Sequence, residues 1–370
     1  MRSLIGHPIE DIDTPALVVD VDVLKGNIER LQAACDEAEL QLRPHTKAHK
    51  TPEIALMQTR AGAAGVTVAK LGEAEVMATA GIEDIFIANQ LIGAPKMARL
   101  AALARRVPRL SVAVDSLVSA GQMDKALRAE GLSIDVLIEV DAGAGRCGVA
   151  PNSLLLFAKQ LGEYNSLRLV GIMAYAGPAY EARGAEAFER AAAREAEELA
   201  RIAGTLTRAG YRMERISGGT TPTGERYKKG CGLTEVRSGT YCLNDYNQVD
   251  LGSTTPDRVA ATVLATVISH PTVDRAIVDA GSKAMGLQVS QLSDGYGFVQ
   301  GPKGGKLSKV NDEHGYLDVR GMAGEVEIGE KLRLMPPRIC TALNLYDWMY
   351  AVEGDRVVDV WRVAARGANT

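Results

Sequence analysis

Residues 40–50 read Leu-Gln-Leu-Arg-Pro-His-Thr-Lys-Ala-His-Lys, a short apolar strand (Leu40–Arg43) that breaks at Pro44 into a basic run ending at Lys50. An open doubly wound sheet would carry a Gly-x-Gly-x-x-Gly turn after its first strand, because only glycine lets backbone approach a dinucleotide's phosphates so closely. Arg-Pro-His-Thr-Lys-Ala-His-Lys stands there instead, which favours a closed barrel. Working outward, the same strand-then-helix unit recurs. Candidate strands are Gly65–Val68, Asp84–Ala88, Leu110–Val114, Asp135–Val140, Leu169–Tyr175, Met213–Ser217 and Leu233–Val236, with helical-period stretches such as Pro52–Ala61, Glu73–Thr79 and Glu186–Ala209 between them. Eight such units in about 200 residues predict an α/β fold, a parallel (β/α)₈ TIM barrel over residues 20–245. Beyond 245 the texture changes to VAATVLATVIS, RAIVDAG, GYLDVRG, GEVEIGEKLRLMP and RVVDVWRVAARG, strand-like runs punctuated by Gly and Pro. Residues 246–370 therefore read as a β-rich second domain, and the opening strand of residues 1–19 could pair with either domain.

The 370 residues suit two domains, and 46% apolar with 24% charged residues is ordinary globular usage. Lys and Arg total 42 against 46 Asp and Glu, a formal charge of −4, so no domain-wide basic surface exists to bind nucleic acid. The N-terminus, MRSLIGHPIEDIDTPALVVDVDV, has acidic residues where a leader needs a basic end and an apolar run, and no long uncharged apolar stretch suits a membrane span. A cytoplasmic address is expected. Five cysteines (Cys35, Cys147, Cys231, Cys242, Cys340) are odd in number and form no Cys-x-x-Cys, which argues against a disulfide framework or a structural zinc site.

A (β/α)₈ barrel gathers its chemistry at the C-terminal ends of its strands. After the first strand come Lys47 and Lys50, candidates for a Schiff-base amine, although a lysine in a basic octapeptide taken alone reads as solvated surface. His45 and His49, four apart, read as structural. The fifth strand leads into Asp141-Ala-Gly-Ala-Gly-Arg146-Cys-Gly148, a loop supple enough to bring Arg146 onto a ligand. The sixth leads into Ala174–Tyr180, which holds two phenols. The seventh leads into Ile216-Ser217-Gly218-Gly219-Thr220-Thr221-Pro222-Thr223, hydroxyls and bare backbone at the position where barrels hold a phosphate. The eighth leads into Val236-Arg237-Ser238-Gly239-Thr240-Tyr241, which can add donors. A lysine, a closely approaching arginine and a late-strand phosphate cup together describe pyridoxal phosphate, whose aldehyde a lysine holds.

Those residues carry a resemblance. DTPALVVDVDVLKGNIERL, RPHTKAHK, VAKLGEAEVMATAGIEDIFIAN, EVDAGAGRCGV, GIMAYAG, ISGGT, EVRSGTY, VDAGSKAM, DEHG and CTALNLYDWMYAV occur in order over nearly the whole chain. They resemble the D-threonine aldolase and D-serine dehydratase family, pyridoxal phosphate enzymes of the alanine racemase type, with D-threonine and 3-hydroxy-D-aspartate aldolases nearest. The resemblance implies that Lys47 carries the cofactor, Arg146 contacts its phenolic oxygen and Tyr175 stacks near its ring. It implies phosphate donors at Ser217, Gly218, Gly219 and Thr220, joined by Gly239, Thr240 and Tyr241. His314 of DEHG is a catalytic candidate on the same footing, and homodimers with a small amino-acid substrate are implied.

Three departures bear on the chemistry. The family binds a divalent metal through His-x-Asp or His-x-Cys before the motif that here reads TALNLYDW, yet this chain has Arg338-Ile339-Cys340. A guanidinium has no lone pair to give a metal, so Cys340 is left as a lone possible ligand and Arg338 becomes the candidate positive charge beside the substrate. SGGTTPTGERYKKGCG stands where the aldolases tend to have a Gly-rich run followed by acidic and aromatic residues, which implies a changed substrate pocket, and Tyr180-Glu181 stands where they often have Gln-His. The expected activity is retro-aldol cleavage of D-3-hydroxy amino acids to glycine and an aldehyde, without the family's metal. The alternatives are a D-amino-acid dehydratase, favoured by Cys340, and a racemase. A non-catalytic cofactor carrier is disfavoured by the second domain, and a cofactor-free structural barrel by the ordered motifs.

Overall fold

The computed structural model describes residues 2–175, 177–290 and 292–370, so Ala176 of the GIMAYAG stretch lies outside it. Two compact units divide the chain: Arg30–Lys47, Ile54–Gly239 and Gly367–Thr370 in one, Met1–Glu29, Ala48–Glu53 and Thr240–Arg366 in the other. The sequence-based boundary fell at 245/246. Contacts within the fold place it at 239/240 and assign the opening strand, β1 (Ala16–Asp20), to the second unit.

In the first unit, β2 (Gln41–Leu42), β3 (Val66–Val68), β4 (Asp84–Ile87), β5 (Arg109–Val114), β6 (Ile134–Glu139), β7 (Leu167–Met173), β8 (Arg215–Gly218) and β9 (Glu235–Val236) form an eight-stranded sheet. Its strands pair in parallel, in the order β2-β9-β8-β7-β6-β5-β4-β3. A parallel bridge between His45 and Thr67, with Thr67 N–H donating to the Pro44 carbonyl at 2.8 Å, joins the run after β2 to β3 and closes the ring. Helices cover such strands on one face and the barrel interior covers the other, which is why Ile85-Phe86-Ile87 and Val136-Leu137-Ile138 are unbroken apolar runs. The helix Ala185–Arg208 buries Phe188, Ala192, Ala196, Leu199, Ile202, Ala203 and Leu206 along one stripe. One departure from the repeating unit is that β8 and β9 are joined by turns and loop rather than a helix, as the Gly- and Pro-rich SGGTTPTGERYKKGCG requires.

The barrel interior is only partly apolar. Phe86, Ala113, Leu137, Val170 and Met173 pack together, and charge fills much of the remainder. Arg43 donates to Asp84 and, at 2.7 Å, to Glu235; Arg215 reaches Glu235 at 3.0 Å and the Ser111 hydroxyl at 2.8 Å. Burial opposes ionisation of Glu235, but Arg43 and Arg215 outweigh it and hold the carboxyl well below the usual carboxylate range. Removing one partner of a buried network leaves uncompensated charge, so Glu235→Gln is expected to lower unfolding stability by about 3 kcal/mol. Arg109, whose guanidinium on Asp84 is 63% exposed, is expected to cost less than about 1 kcal/mol as Arg109→Ala in the same denaturant titration.

The second unit is antiparallel save for one pairing. Its strands are β1, β10 (Ala261–Thr272), β11 (Arg275–Val278), β12 (Phe298–Val299), β13 (Lys306–Val310), β14 (Gly315–Asp318), β15 (Lys331–Met335), β16 (Trp348–Glu353) and β17 (Arg356–Arg362). β10-β11-β14-β13-β12-β15 close on themselves, since β10 pairs with both β11 and β15. Val263, Ala265 and Val267 alternate inward along β10 onto Leu307, Leu317 and Leu334. β1 pairs antiparallel with β10 and parallel with β16, so it belongs to this sheet. No helix among the described residues is long and apolar enough to cross a membrane.

Candidate active site

Lys47 lies in a single 3-10 turn, Thr46–Ala48, directly after β2, and is half-buried at the C-terminal end of the barrel. The neighbouring basic residues have other duties. The buried His49 accepts the Thr51 N–H on Nδ1 at 3.1 Å, and Lys50 Nζ donates to Asn344 Oδ1 at 3.0 Å. Of the two lysines in the octapeptide, Lys50 is thereby tied to the NLYDW segment, and Lys47 is the one at the strand end.

At the end of β6, Arg146 stands 4.9 Å above the Tyr175 ring, with Nη2 3.5 Å from Glu139 Oε1. Asp141 shapes its loop by accepting the Gly143 and Gly145 N–H groups at 3.0 and 3.1 Å. Glu139 is buried and also accepts from Gln90 Nε2. Strands β6 and β7 thus deliver a cation and an aromatic face together, the pair that an anionic, planar ring would meet.

After β8 the chain turns sharply through Gly218-Gly219. Gly219 has φ +90°, and a Cβ there would lie 2.8 Å from Val236 Cγ1, so no other residue fits. Several groups expected as phosphate donors are engaged within the protein. The Ser217 hydroxyl donates to Glu235 and accepts from Arg237, Gly219 N–H donates to Glu195 Oε1 at 2.8 Å, and Thr220 N–H donates to Thr223 Oγ1 at 3.0 Å. Thr221 Oγ1 is different: it is buried on this turn and has no hydrogen-bond partner. A buried hydroxyl left unpaired is costly unless a ligand completes it. That hydroxyl, next to bare glycine backbone at a strand end and in the same unit as Lys47, Arg146 and Tyr175, fits a phosphate ester joined to a planar aldehyde, as pyridoxal phosphate is.

The second unit holds the remaining candidates. Thr240 and the buried Tyr241 form a 3-10 turn, with Thr240 Oγ1 3.9 Å from Cys340 Sγ. Arg338 is the N-cap of the short helix Ile339–Leu343. Asp245 Oδ2 accepts the Ile339 N–H at 3.2 Å while Oδ1 accepts the Gln248 N–H at 3.1 Å. Burial pushes the Asp245 carboxyl up to about 7, against those two N–H groups and the Arg338 charge. His314 is exposed on the turn between β13 and β14. Among the described residues no group of three or more His, Cys, Asp or Glu is placed to hold a metal. The donor set at the family's metal position, one guanidinium and one thiol, does not fit a divalent ion.

Residues 19–246 match the model described as alanine racemase, N-terminal domain, and residues 260–352 match a serine dehydratase domain. A D-threonine aldolase of Arthrobacter sp is 36% identical over 98% of this chain and 95% of its own length. The chain belongs to the D-threonine aldolase and D-serine dehydratase family. A D-threo-3-hydroxyaspartate dehydratase of Delftia sp. (strain HT23) is 35% identical over 95% of this chain and 97% of its own. The crystal structure of D-threonine aldolase from Filomicrobium marinum superposes with a TM-score of 0.88 at 31% identity, covering 99% of each chain. The family and its fold imply pyridoxal phosphate, in agreement with the fit above.

Glu235, Glu139, Glu195 and Tyr227 are not singled out by the sequence, and Arg237 only as one member of the Val236–Tyr241 run. Arg237 is fully enclosed, donating to Ser217 and to the Ala174 carbonyl at 2.7 Å. One of the other four had a signal: Glu195 is the charged residue on the apolar stripe of Ala185–Arg208.

Proposed function

We propose that this protein is a pyridoxal phosphate-dependent lyase that cleaves D-3-hydroxy amino acids by a retro-aldol reaction, giving glycine and an aldehyde, and that it does so without a metal. The observation that carries the reading is the full-length kinship with D-threonine aldolase, 36% identical over 98% of the chain. Bound pyridoxal phosphate supplies an electron sink that accepts the pair released when a bond at Cα breaks. The protein's part is to hold and aim. Lys47 would be the amine that holds the cofactor. Arg146, over Tyr175, would meet the phenolic oxygen and orient the ring, while the Gly218–Thr221 turn, through the unpartnered Thr221 hydroxyl, would hold the phosphate with Gly239, Thr240 and Tyr241.

Cleavage between Cα and Cβ requires the β-hydroxyl to lose its proton as its C–O bond becomes a carbonyl. Arg338 is assigned the task that a metal performs in relatives, donating a charge-assisted hydrogen bond to the β-oxygen or to a substrate carboxylate. His314, exposed on the turn between β13 and β14, is kept as a catalytic candidate on the family resemblance alone. The enzyme is proposed to act in the cytoplasm as a homodimer. The second reading, a dehydratase, is favoured by Cys340 and by the 35% identity to the Delftia enzyme. Product analysis separates them. Loaded enzyme given a panel of D- and L-3-hydroxy amino acids is expected to release glycine and aldehyde from D substrates. Ammonia with a 2-oxo acid would make it a dehydratase, and the enantiomer alone a racemase.

A further inference from the structure

Behind the Gly218-Gly219-Thr220 turn stands a carboxyl with no part in the chemistry above. Glu195 projects from the helix Ala185–Arg208 on the stripe that otherwise buries Phe188, Ala192, Ala196 and Leu199. A carboxyl in such a position is expensive to bury unless its oxygens are satisfied. Both are. Oε1 accepts the Gly219 N–H at 2.8 Å, and Oε2 accepts from the Tyr227 hydroxyl. The Tyr227 oxygen lies 3.0 Å from Thr223 Oγ1, which in turn accepts the Thr220 N–H at 3.0 Å. Successive residues of the turn are therefore fastened to one carboxyl, Gly219 directly and Thr220 through Thr223 and Tyr227. Contact is close enough that a Cβ on Gly218 would sit 2.9 Å from Glu195 Oε1 and 3.0 Å from Leu199 Cδ1.

We propose that Glu195 is the positioning residue of the phosphate site: it fixes the Gly219–Thr220 backbone from behind so that Thr221 and its neighbours are aimed at a phosphate monoester. The inference rests on the pyridoxal phosphate reading and adds to it the residue that preorganises its anion cup. Burial raises the Glu195 carboxyl above the usual carboxylate range, against the Tyr227 and Gly219 hydrogen bonds and the Arg237 charge.

Because the effect passes through the phosphate, pyridoxal, which lacks that group, is the discriminating probe. Cofactor-free full-length protein would be titrated with pyridoxal phosphate and, separately, with pyridoxal, following visible absorbance. Glu195→Ala leaves the Gly219 N–H without its acceptor, so pyridoxal phosphate affinity is expected to fall about 10-fold or more while pyridoxal affinity stays within about 2-fold of wild type. Glu195→Gln keeps an acceptor for that N–H and is expected to restore most of the loss. Should Glu195→Ala not fold, Tyr227→Phe carries the same comparison with a smaller loss, since it removes one hydroxyl from the chain to Thr223. Unchanged pyridoxal phosphate affinity, or equal losses for both probes, would overturn the positioning role. A wild-type protein that binds neither probe would overturn the cofactor reading itself.

Discussion

Lys47→Ala is expected to lower turnover by about 10³-fold or more and to leave the purified protein without visible absorbance after desalting, because the anchoring amine is gone. Lys50→Ala serves as its control. Lys50 donates to Asn344 at 3.0 Å and has φ +52°, the geometry of a structural residue in a turn, so its loss is expected to reduce activity by less than about 10-fold and to leave the absorbance intact. Borohydride reduction followed by peptide mass analysis checks the same point covalently and is expected to place the cofactor's mass on Lys47. Colour lost from Lys50→Ala and kept in Lys47→Ala would reverse the assignment.

Arg338→Ala is expected to reduce kcat/KM by about 10²-fold, the range of a lost charge-assisted hydrogen bond made to a developing oxyanion. Arg338→Lys keeps the charge but not the planar fork and is expected to fall between the two. The more telling substitution is Arg338→His. It places an imidazole two residues before Cys340, a pair with lone pairs that suit a divalent ion. That variant is expected to be stimulated by added manganese or zinc and silenced by chelator. Full activity in Arg338→Ala would remove Arg338 from the mechanism.

How much of this was legible in the sequence differs from element to element. The barrel strands emerged within a few residues of their bounds, because strands buried on both faces read as continuous apolar runs; Asp84–Ile87 and Ile134–Glu139 are examples. In the second unit the pattern was weaker. β12 is two residues long, too short for any period, and of the run GEVEIGEKLRLMP only Lys331–Met335 forms strand, the remainder being turn and loop. The partner of β1 was undecidable locally, since its choice of β10 and β16 depends on pairings hundreds of residues away.

Within the site, Lys47, Arg146 and Tyr175 stood out because they punctuate strand ends, where barrel chemistry collects. Ser217 was legible as a strand-end position, but its partners were not. Its hydroxyl is engaged by Glu235 and Arg237, partners 18 and 20 residues further along the chain. Glu235 and Arg237 flank Val236 in what reads as one more apolar strand end, and only closure of the ring turns them toward the interior. Glu195 alone broke a helical pattern in plain view.

The most direct test of the account is the glycine yield from a D-3-hydroxy amino acid by wild-type enzyme before and after exhaustive chelation, with pyridoxal phosphate resupplied. Cleavage without a metal, with Arg338 supplying the charge, predicts the same yield in both. Glycine formation that chelation abolishes and a divalent ion restores would contradict it.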